Sequence, residues 1–271
     1  MGRFHGVLLV SDFDDTLVNR QKQIPPRTME ALQRYTAEGG RFTLASGRSV
    51  VSIRQQLCGL PINAPVITSN GTQIYDYAEE MLLSETPLPE TAPADFAKVM
   101  AAFPQVAVEI YSHGKLYCVR PNQVTAEHLR ITGQTALERS LEQIPDGWVY
   151  AKFEEENLYL QELQQYLHRE FHGRYEAIFS NPYLLEIEAG GCSKGAGVLK
   201  LAELLGIARE HIYCAGDQEN DVSMLKIASV SFTPAGSSQA AIDAANVVVC
   251  DCDQGAIADV IEYLEKRYVV S

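Results

Sequence analysis

The sequence predicts an α/β protein, a parallel sheet with helices on both faces interrupted by a separate α+β module. Three observations carry that expectation. The aliphatic run Val7 to Val10 has the length and composition of a strand buried on both faces, and it stops abruptly at Asp12, Asp14 and Asp15. Arg41 to Ala45 and Pro65 to Thr68 repeat the arrangement, closing in the small polar turns Ser46-Gly47-Arg48 and Ser69-Asn70-Gly71, so all three turns belong on one sheet edge. Around Leu83 the pattern breaks at Pro87, Pro89 and Pro93, and it resumes only near Glu186.

Taken in order, Pro25 to Glu38 reads as a helix with Met29, Leu32 and Tyr35 on one face and Gly39-Gly40 as its stop. A second helix rich in Val and Ile (Val50, Val51, Ile53, Leu57) follows the Ser46 turn, and the third strand is expected to continue the strand, turn and helix series. The middle of the chain carries strand-like stretches, Val106 to Ile110 and Leu116 to Val119, and a helix from Asn157 to Phe171 with Leu160, Leu163 and Leu167 at helical spacing. The α/β pattern returns with a helix over Ser193 to Leu205 and a strand over His211 to Ala215 that ends at Gly216-Asp217. Strands at Val230 to Phe232 and Val247 to Val249 then alternate with helices at Ser238 to Ala244 and Gln254 to Arg267. This places a core in residues 1–83 and 186–271 and an inserted α+β module in 84–185.

The totals narrow the function. With 271 residues, 46% of them hydrophobic and 21% charged, the chain can build a large core. No apolar run approaches the ~20 residues that span a bilayer, and Met1 to Gly6 has no signal-peptide pattern, so the expected location is cytoplasmic, away from membranes. A net charge of −13 argues against a nucleic-acid partner. The six cysteines are scattered and form no disulfide framework, and Cys250-Asp251-Cys252 lacks the second Cys or His pair of a zinc site. Asn70-Gly71-Thr72 matches a glycosylation sequon that a cytoplasmic chain would not use.

Residues two apart on an extended segment point the same way, so Asp12 and Asp14 are expected to face one pocket at the ligand-binding edge of the sheet. Two anions roughly 4 Å apart repel by about 4 kcal/mol at an effective dielectric near 20. A divalent cation is the simplest remedy, and oxygen-only ligands favour Mg²⁺. Each residue also has a plainer account: Ser46 as a helix cap, Lys194 as a solvated residue, Asp217 and Asp221 as turn acids.

Taken together, DFDDTL (Asp12 to Leu17), ASGR (Ala45 to Arg48), SNG (Ser69 to Gly71), the spaced Glu186 to Gly195 stretch with Lys194, and GDxxND (Gly216 to Asp221) resemble the haloacid dehalogenase superfamily of phosphatases. The match is to the Cof-type, sugar-phosphatase-like branch, with a large α/β cap between the second and third motifs. The resemblance implies a Rossmann-like core with an inserted α+β cap, and a Mg²⁺-dependent phosphatase of small phosphorylated metabolites, sugar phosphates being the commonest class. It makes Asp12 the nucleophile that forms an aspartyl-phosphate and Asp14 the acid and base. Lys194 neutralises charge, while Ser46, the Gly47 N–H and Asn220 hold the phosphoryl group. The metal falls to Asp12, the Asp14 main-chain carbonyl and Asp217, with Asp221 supporting the metal shell. Cap residues available to the leaving group are Glu109, Tyr111, His113, Lys115, Tyr117 and Tyr183. The rivals are a sugar phosphomutase and a catalytically idle phosphometabolite-binding regulator. Two positions depart from the pattern: Asp15, where the family often has Gly and where the side chain is expected to point outward, and Phe232 to Gly236, where an Asn-Ala pair is common.

Overall fold

The computed structural model describes residues 2–269. It divides into two compact units, one formed by the residues up to Ser84 together with those from Ser193 onward, the other by Glu85–Cys192. The first unit begins with β1 (Leu8–Ser11), buried throughout. Helix α1 (Pro26–Ala37) starts on a proline, whose fixed φ suits a first helical position, and buries Ala31, Leu32 and Tyr35. Then come β2 (Arg41–Leu44), α2 (Val50–Arg54), β3 (Val66–Thr68), β4 (Gln73–Asp76) and β5 (Met81–Glu85).

The third strand departs from expectation. No α-helix follows it: Ser69 and Asn70 both adopt positive φ in a single tight 3-10 turn, which reverses the chain at once into β4, paired antiparallel to β3. Strand β3 therefore heads a small sheet of its own, β3-β4-β5, and meets β2 through a parallel bridge between Ala45 and Ile67.

The second unit is α+β. It contains α3 (Ala92–Ala102), β6 (Ala107–Ser112), β7 (Lys115–Val119), α4 (Gln123–Thr132), β8 (Leu137–Glu138), β9 (Trp148–Glu154), α5 (Asn157–Phe171), β10 (Tyr175–Asn181) and β11 (Leu184–Ala189). The strands form one sheet in the order β10-β11-β9-β6-β7-β8. Period-two alternation gives it two unlike faces. Val108, Ile110, Tyr117, Ala151, Phe153, Leu185 and Ile187 join Phe96 and Val99 of α3 and Leu160, Leu163 and Leu167 of α5 in one apolar core. The alternate positions include the polar residues Glu109, Tyr111, Lys152, Glu154, Glu186 and Glu188.

Two expectations are corrected here. The boundary at Leu185 falls inside β11, whose pairing with β10 and β9 carries residues up to Ala189 into the insert. Tyr117 is not a leaving-group contact, because its side chain lies in the apolar core.

The chain then returns to the first unit with α6 (Lys194–Leu205), β12 (Ile212–Ala215), α7 (Val222–Ile227), β13 (Val230–Pro234), α8 (Gln239–Ala244), β14 (Val247–Val249) and α9 (Ala256–Arg267). The main sheet runs β14-β13-β12-β1-β2 with every neighbouring pair parallel. Alternate residues of β1 serve opposite cores: Leu9 packs with residues of α1 and α9, while Leu8 and Val10 pack with residues of α6 and α7. Both faces are thus covered, as a parallel sheet requires. Among the described residues, no helix is long and apolar enough to cross a membrane.

Candidate active site

Strands β1 and β12 are neighbours in register, Ser11 opposite Ala215, so the residues that follow each emerge side by side. Asp12 begins where β1 ends, and its N–H still donates to the Ala215 carbonyl at 2.8 Å. Asp217 and Asp221 lie in the turn after β12. One carboxylate oxygen from each of Asp12, Asp217 and Asp221 falls within 4.8 Å of the others, and all three residues are buried. Lys194, at the first position of α6 and 1% exposed, enters this group. Its Nζ donates to Asp12 Oδ1 at 2.5 Å and to Asp221 Oδ1 at 2.6 Å.

Asp221 is an organiser. Its Oδ2 accepts from the backbone N–H groups of Asp217 at 2.8 Å and Gln218 at 3.0 Å, while Oδ1 takes the lysine. The turn is close enough that a Cβ on Gly216 would stand 2.5 Å from the Asp221 Cβ, so glycine is required there. Thr16 Oγ1 donates to Asp217 Oδ1 at 2.8 Å and Gln218 Nε2 to Asp217 Oδ2 at 3.0 Å, which fixes that carboxylate. Gly195 places α6: its N–H donates to Ser223 Oγ at 3.0 Å, and a Cβ there would lie 2.5 Å from the Ser223 carbonyl oxygen.

The electrostatics are crowded. Burial raises the Asp12 pKa well above the usual carboxylate range, Lys194 opposes the shift, and Asp221 and Asp217 push it higher. Burial and then Asp221 push Asp217 up to about 6, against Thr16, Gln218 and Lys194. Lys194 is held in its charged form because Asp12 and Asp221 outweigh its own burial. Three carboxylates therefore face a single ammonium. An oxygen-only set with surplus negative charge fits a divalent cation: Asp12 has an oxygen besides the one that takes Lys194, and the Asp217 oxygens accept only from the neutral Thr16 and Gln218, whereas Asp221 is held by Lys194 and two backbone N–H groups.

Asp14 stands apart from this group. Its carboxylate is gripped by Arg48, Nε to Oδ2 at 2.8 Å and Nη2 to Oδ1 at 3.0 Å, with Lys22 Nζ at 3.2 Å. Burial pushes its pKa up, but Arg48 and Lys22 outweigh burial and bring it below the ordinary value. The expected repulsion between Asp12 and Asp14 is thus relieved by separate cations, and the Asp14 carboxylate does not join the acidic trio. Asp15 has positive φ, and its half-exposed side chain meets Lys22 at 3.2 Å, pointing outward as anticipated.

Ser46 does not cap the helix that follows. Ser49 does, accepting from Ser52 N–H, while Ser46 Oγ accepts from the Arg48 N–H at 3.2 Å across Gly47. The Ser46 carbonyl accepts from Asn70 N–H at 3.1 Å, and Asn70 Oδ1 accepts from Asn220 Nδ2 at 3.2 Å. The turns after β2, β3 and β12 are therefore bonded into one rim. Asn70, the sequon residue, is buried there. Sequence reasoning gave no role to Arg48, Lys22, Thr16 or Asn70; only the placement of Arg48 and Asn70 in polar turns at strand ends hinted at them. In the insert, Tyr111 stacks on Tyr150 with ring centroids 5.2 Å apart, and Lys115 and Tyr183 are exposed near hairpin turns.

A family model described as haloacid dehalogenase-like hydrolase matches residues 9–261. The chain is 26% identical over 266 residues to the pyridoxal phosphate phosphatase YbhA of Escherichia coli, covering 94% of this chain and 97% of that protein. It is 28% identical over 220 residues to the HMP-PP phosphatase of Cronobacter sakazakii, covering 80% of this chain and 79% of the relative. Among solved structures, a HAD subclass IIB sugar phosphatase superposes with a TM-score of 0.82 at 20% identity, covering 97% of this chain and all of the other. A phosphatase of the same superfamily from Bacteroides thetaiotaomicron reaches a TM-score of 0.84 at 17% identity, covering 98% and 97%.

Proposed function

This chain belongs to the haloacid dehalogenase-like hydrolases and is a phosphatase, and from that premise we propose that it hydrolyses small phosphomonoesters through Asp12, with Mg²⁺ as cofactor. The observation that carries the reading is the buried trio of Asp12, Asp217 and Asp221 around Lys194, beside an Asp14 kept in a different electrostatic environment.

In the first step an Asp12 carboxylate oxygen attacks phosphorus, the bond to the leaving oxygen breaks, and that oxygen takes a proton from Asp14. In the second, a water attacks the aspartyl-phosphate while Asp14 takes its proton, releasing inorganic phosphate and restoring the Asp12 carboxylate. Lys194 offsets charge on Asp12 and on the transferring group. Ser46, the Gly47 N–H and Asn220 orient phosphoryl oxygens. Asp12, Asp217 and the Asp14 main-chain carbonyl would hold the cation, which would supply further charge neutralisation. Asp221 keeps Lys194 and the Asp217 turn in place. The grip of Arg48 favours an ionised Asp14, so Asp14 carries a proton to the leaving oxygen only once that grip loosens. A substrate phosphate offers Arg48 a competing anion.

The relatives' names direct the substrate search to pyridoxal phosphate and HMP-PP as well as sugar phosphates. The test is phosphate release from such a panel, with Mg²⁺ and after chelation, for the native chain and Asp12→Asn. Metal-dependent release that falls by at least ~10⁴-fold in Asp12→Asn is expected. Release that survives the substitution would exclude Asp12 as nucleophile, and transfer of phosphate to another sugar position without release would indicate a mutase.

A further inference from the structure

The polar face of the insert's sheet holds a second buried acidic group that the phosphatase chemistry does not use. Glu109 of β6 stands opposite Lys152 of β9, and Glu154 lies two residues further along β9, so the two carboxylates are diagonal neighbours on one face. Helix α4 brings His128 to them. Asn122, the N-cap of α4, donates from Nδ2 to the Glu154 carbonyl at 2.9 Å and so ties the helix to the end of β9. His128 Nδ1 lies 3.2 Å from Glu109 Oε2 and 3.2 Å from Glu154 Oε1.

Those distances do not amount to hydrogen bonds. Glu109 is 1% exposed and Glu154 is fully buried, yet among the described residues none of their four carboxylate oxygens, nor His128 Nδ1, has a partner in acceptable geometry. Asp95, a buried carboxylate in the same unit, accepts from Thr91 Oγ1, Arg174 Nη1 and Tyr175 OH. Lys152 cannot serve both sites equally, since its Nζ is 3.4 Å from Glu186. A protonated His128 offers a single Nδ1–H to four oxygens. Two buried carboxylates that share one imidazole as their near cation keep a desolvation penalty that a single Nδ1–H does not offset.

We propose that Glu109, His128 and Glu154 bind a borderline transition-metal cation of the Zn²⁺ class, separate from the cation of the core. One imidazole nitrogen and two carboxylates are a donor set that zinc takes, and Mg²⁺ does not seek nitrogen. Metal–ligand bonds of about 2.0–2.2 Å in a tetrahedron put ligand atoms roughly 3.3 Å apart, close to the two 3.2 Å separations found. The three ligand atoms all lie within 4.8 Å of one another. The cation neutralises both carboxylates and joins strands β6 and β9 to helix α4.

The test uses the full chain, stripped with a chelator, supplied with millimolar Mg²⁺ to fill the core site, then titrated with Zn²⁺ against a chromogenic zinc indicator. One equivalent of tightly held zinc is expected, with an imidazole signature in its X-ray absorption spectrum. The acidic trio of the core contains no histidine, so that signature cannot come from there. His128→Gln and Glu154→Gln should each weaken zinc binding roughly 100-fold or more, beyond what loss of an outer-shell partner does. If either variant does not fold, the other variant and the native spectrum still decide. An all-oxygen zinc shell, displacement of zinc by Mg²⁺, or unchanged affinity in His128→Gln would each overturn the proposal and leave a histidinium ion pair. Phosphate release enters none of these readouts, so the result stands apart from the phosphatase reading.

Discussion

The two units each bury a cluster of carboxylates, and they satisfy them by different means. In the core, Asp221 sits in the turn after β12, where backbone N–H groups are free of the ladder and two of them reach its carboxylate. In the insert, Glu109 and Glu154 project from within paired strands, where the neighbouring N–H groups are committed to the sheet. A strand end can therefore hold an anion with main chain and one lysine. A position paired on both sides must find a side-chain cation or a metal.

Breaking the lysine tests the core half most severely. Lys194→Met leaves Asp12 and Asp221 buried without their shared cation, and urea denaturation should show a loss of about 3–5 kcal/mol together with loss of phosphate release. Asp221→Asn comes next. It weakens two backbone N–H bonds and the lysine contact, which should cost about 2–3 kcal/mol in the same measurement.

In the insert, Asp95→Asn should cost about 1.5 kcal/mol, because Asp95 has its three donors but Arg174 is partly exposed to solvent. Burial pushes the Asp95 pKa up, and Arg174, Tyr175 and Thr91 outweigh burial to lower it. A carboxylate with a lowered folded pKa stabilises the fold above its unfolded value and loses that contribution as pH falls through the folded one. The difference between native and Asp95→Asn should therefore be full at pH 7 and shrink as pH falls through the ordinary aspartate range toward the lowered folded value. Glu109→Gln in zinc-free protein should show the smallest effect and the opposite sign, a gain of up to about 1 kcal/mol as one of two crowded carboxylates is neutralised. A large loss there would mean that His128 alone satisfies the pair and would erase the contrast between the units.

Much of this arrangement was legible in the sequence, for reasons visible at particular residues. Aliphatic runs that stop at Asp12, Ser46 and Asp217 locate strand ends, and the order of the motifs brings Asp12, Lys194, Asp217 and Asp221 to one edge. What was not legible depends on direction and reach. Alternation places Asp12 and Asp14 alike on an extended chain, but the backbone turns at Asp15 through positive φ, and Arg48 draws Asp14 away. The hairpin after β3 rests on positive φ at Ser69 and Asn70, which no apolar pattern encodes. Strand β11 ran past Leu185 because Glu186 and Glu188 break the apolar pattern while remaining paired and buried. The Glu109, His128 and Glu154 group has no spacing signature, since its members come from two strands and a helix far apart in the chain.

The position of β1 has a further consequence, for biosynthesis. This strand precedes both of its neighbours in the chain yet lies inside the sheet, between β2 and β12, with Leu8 opposite Ile212. As the polypeptide leaves the ribosome, β1 can pair with β2 at once, but its other edge stays open until the entire insert and α6 have been translated. An apolar strand with an unpaired edge is a template for wrong partners, and the long wait makes closure a slow, high-contact-order step. Asp12 is therefore carried on a segment whose final neighbour arrives late, so the nascent chain holds the proposed nucleophile long before it holds the Asp217 and Lys194 around it.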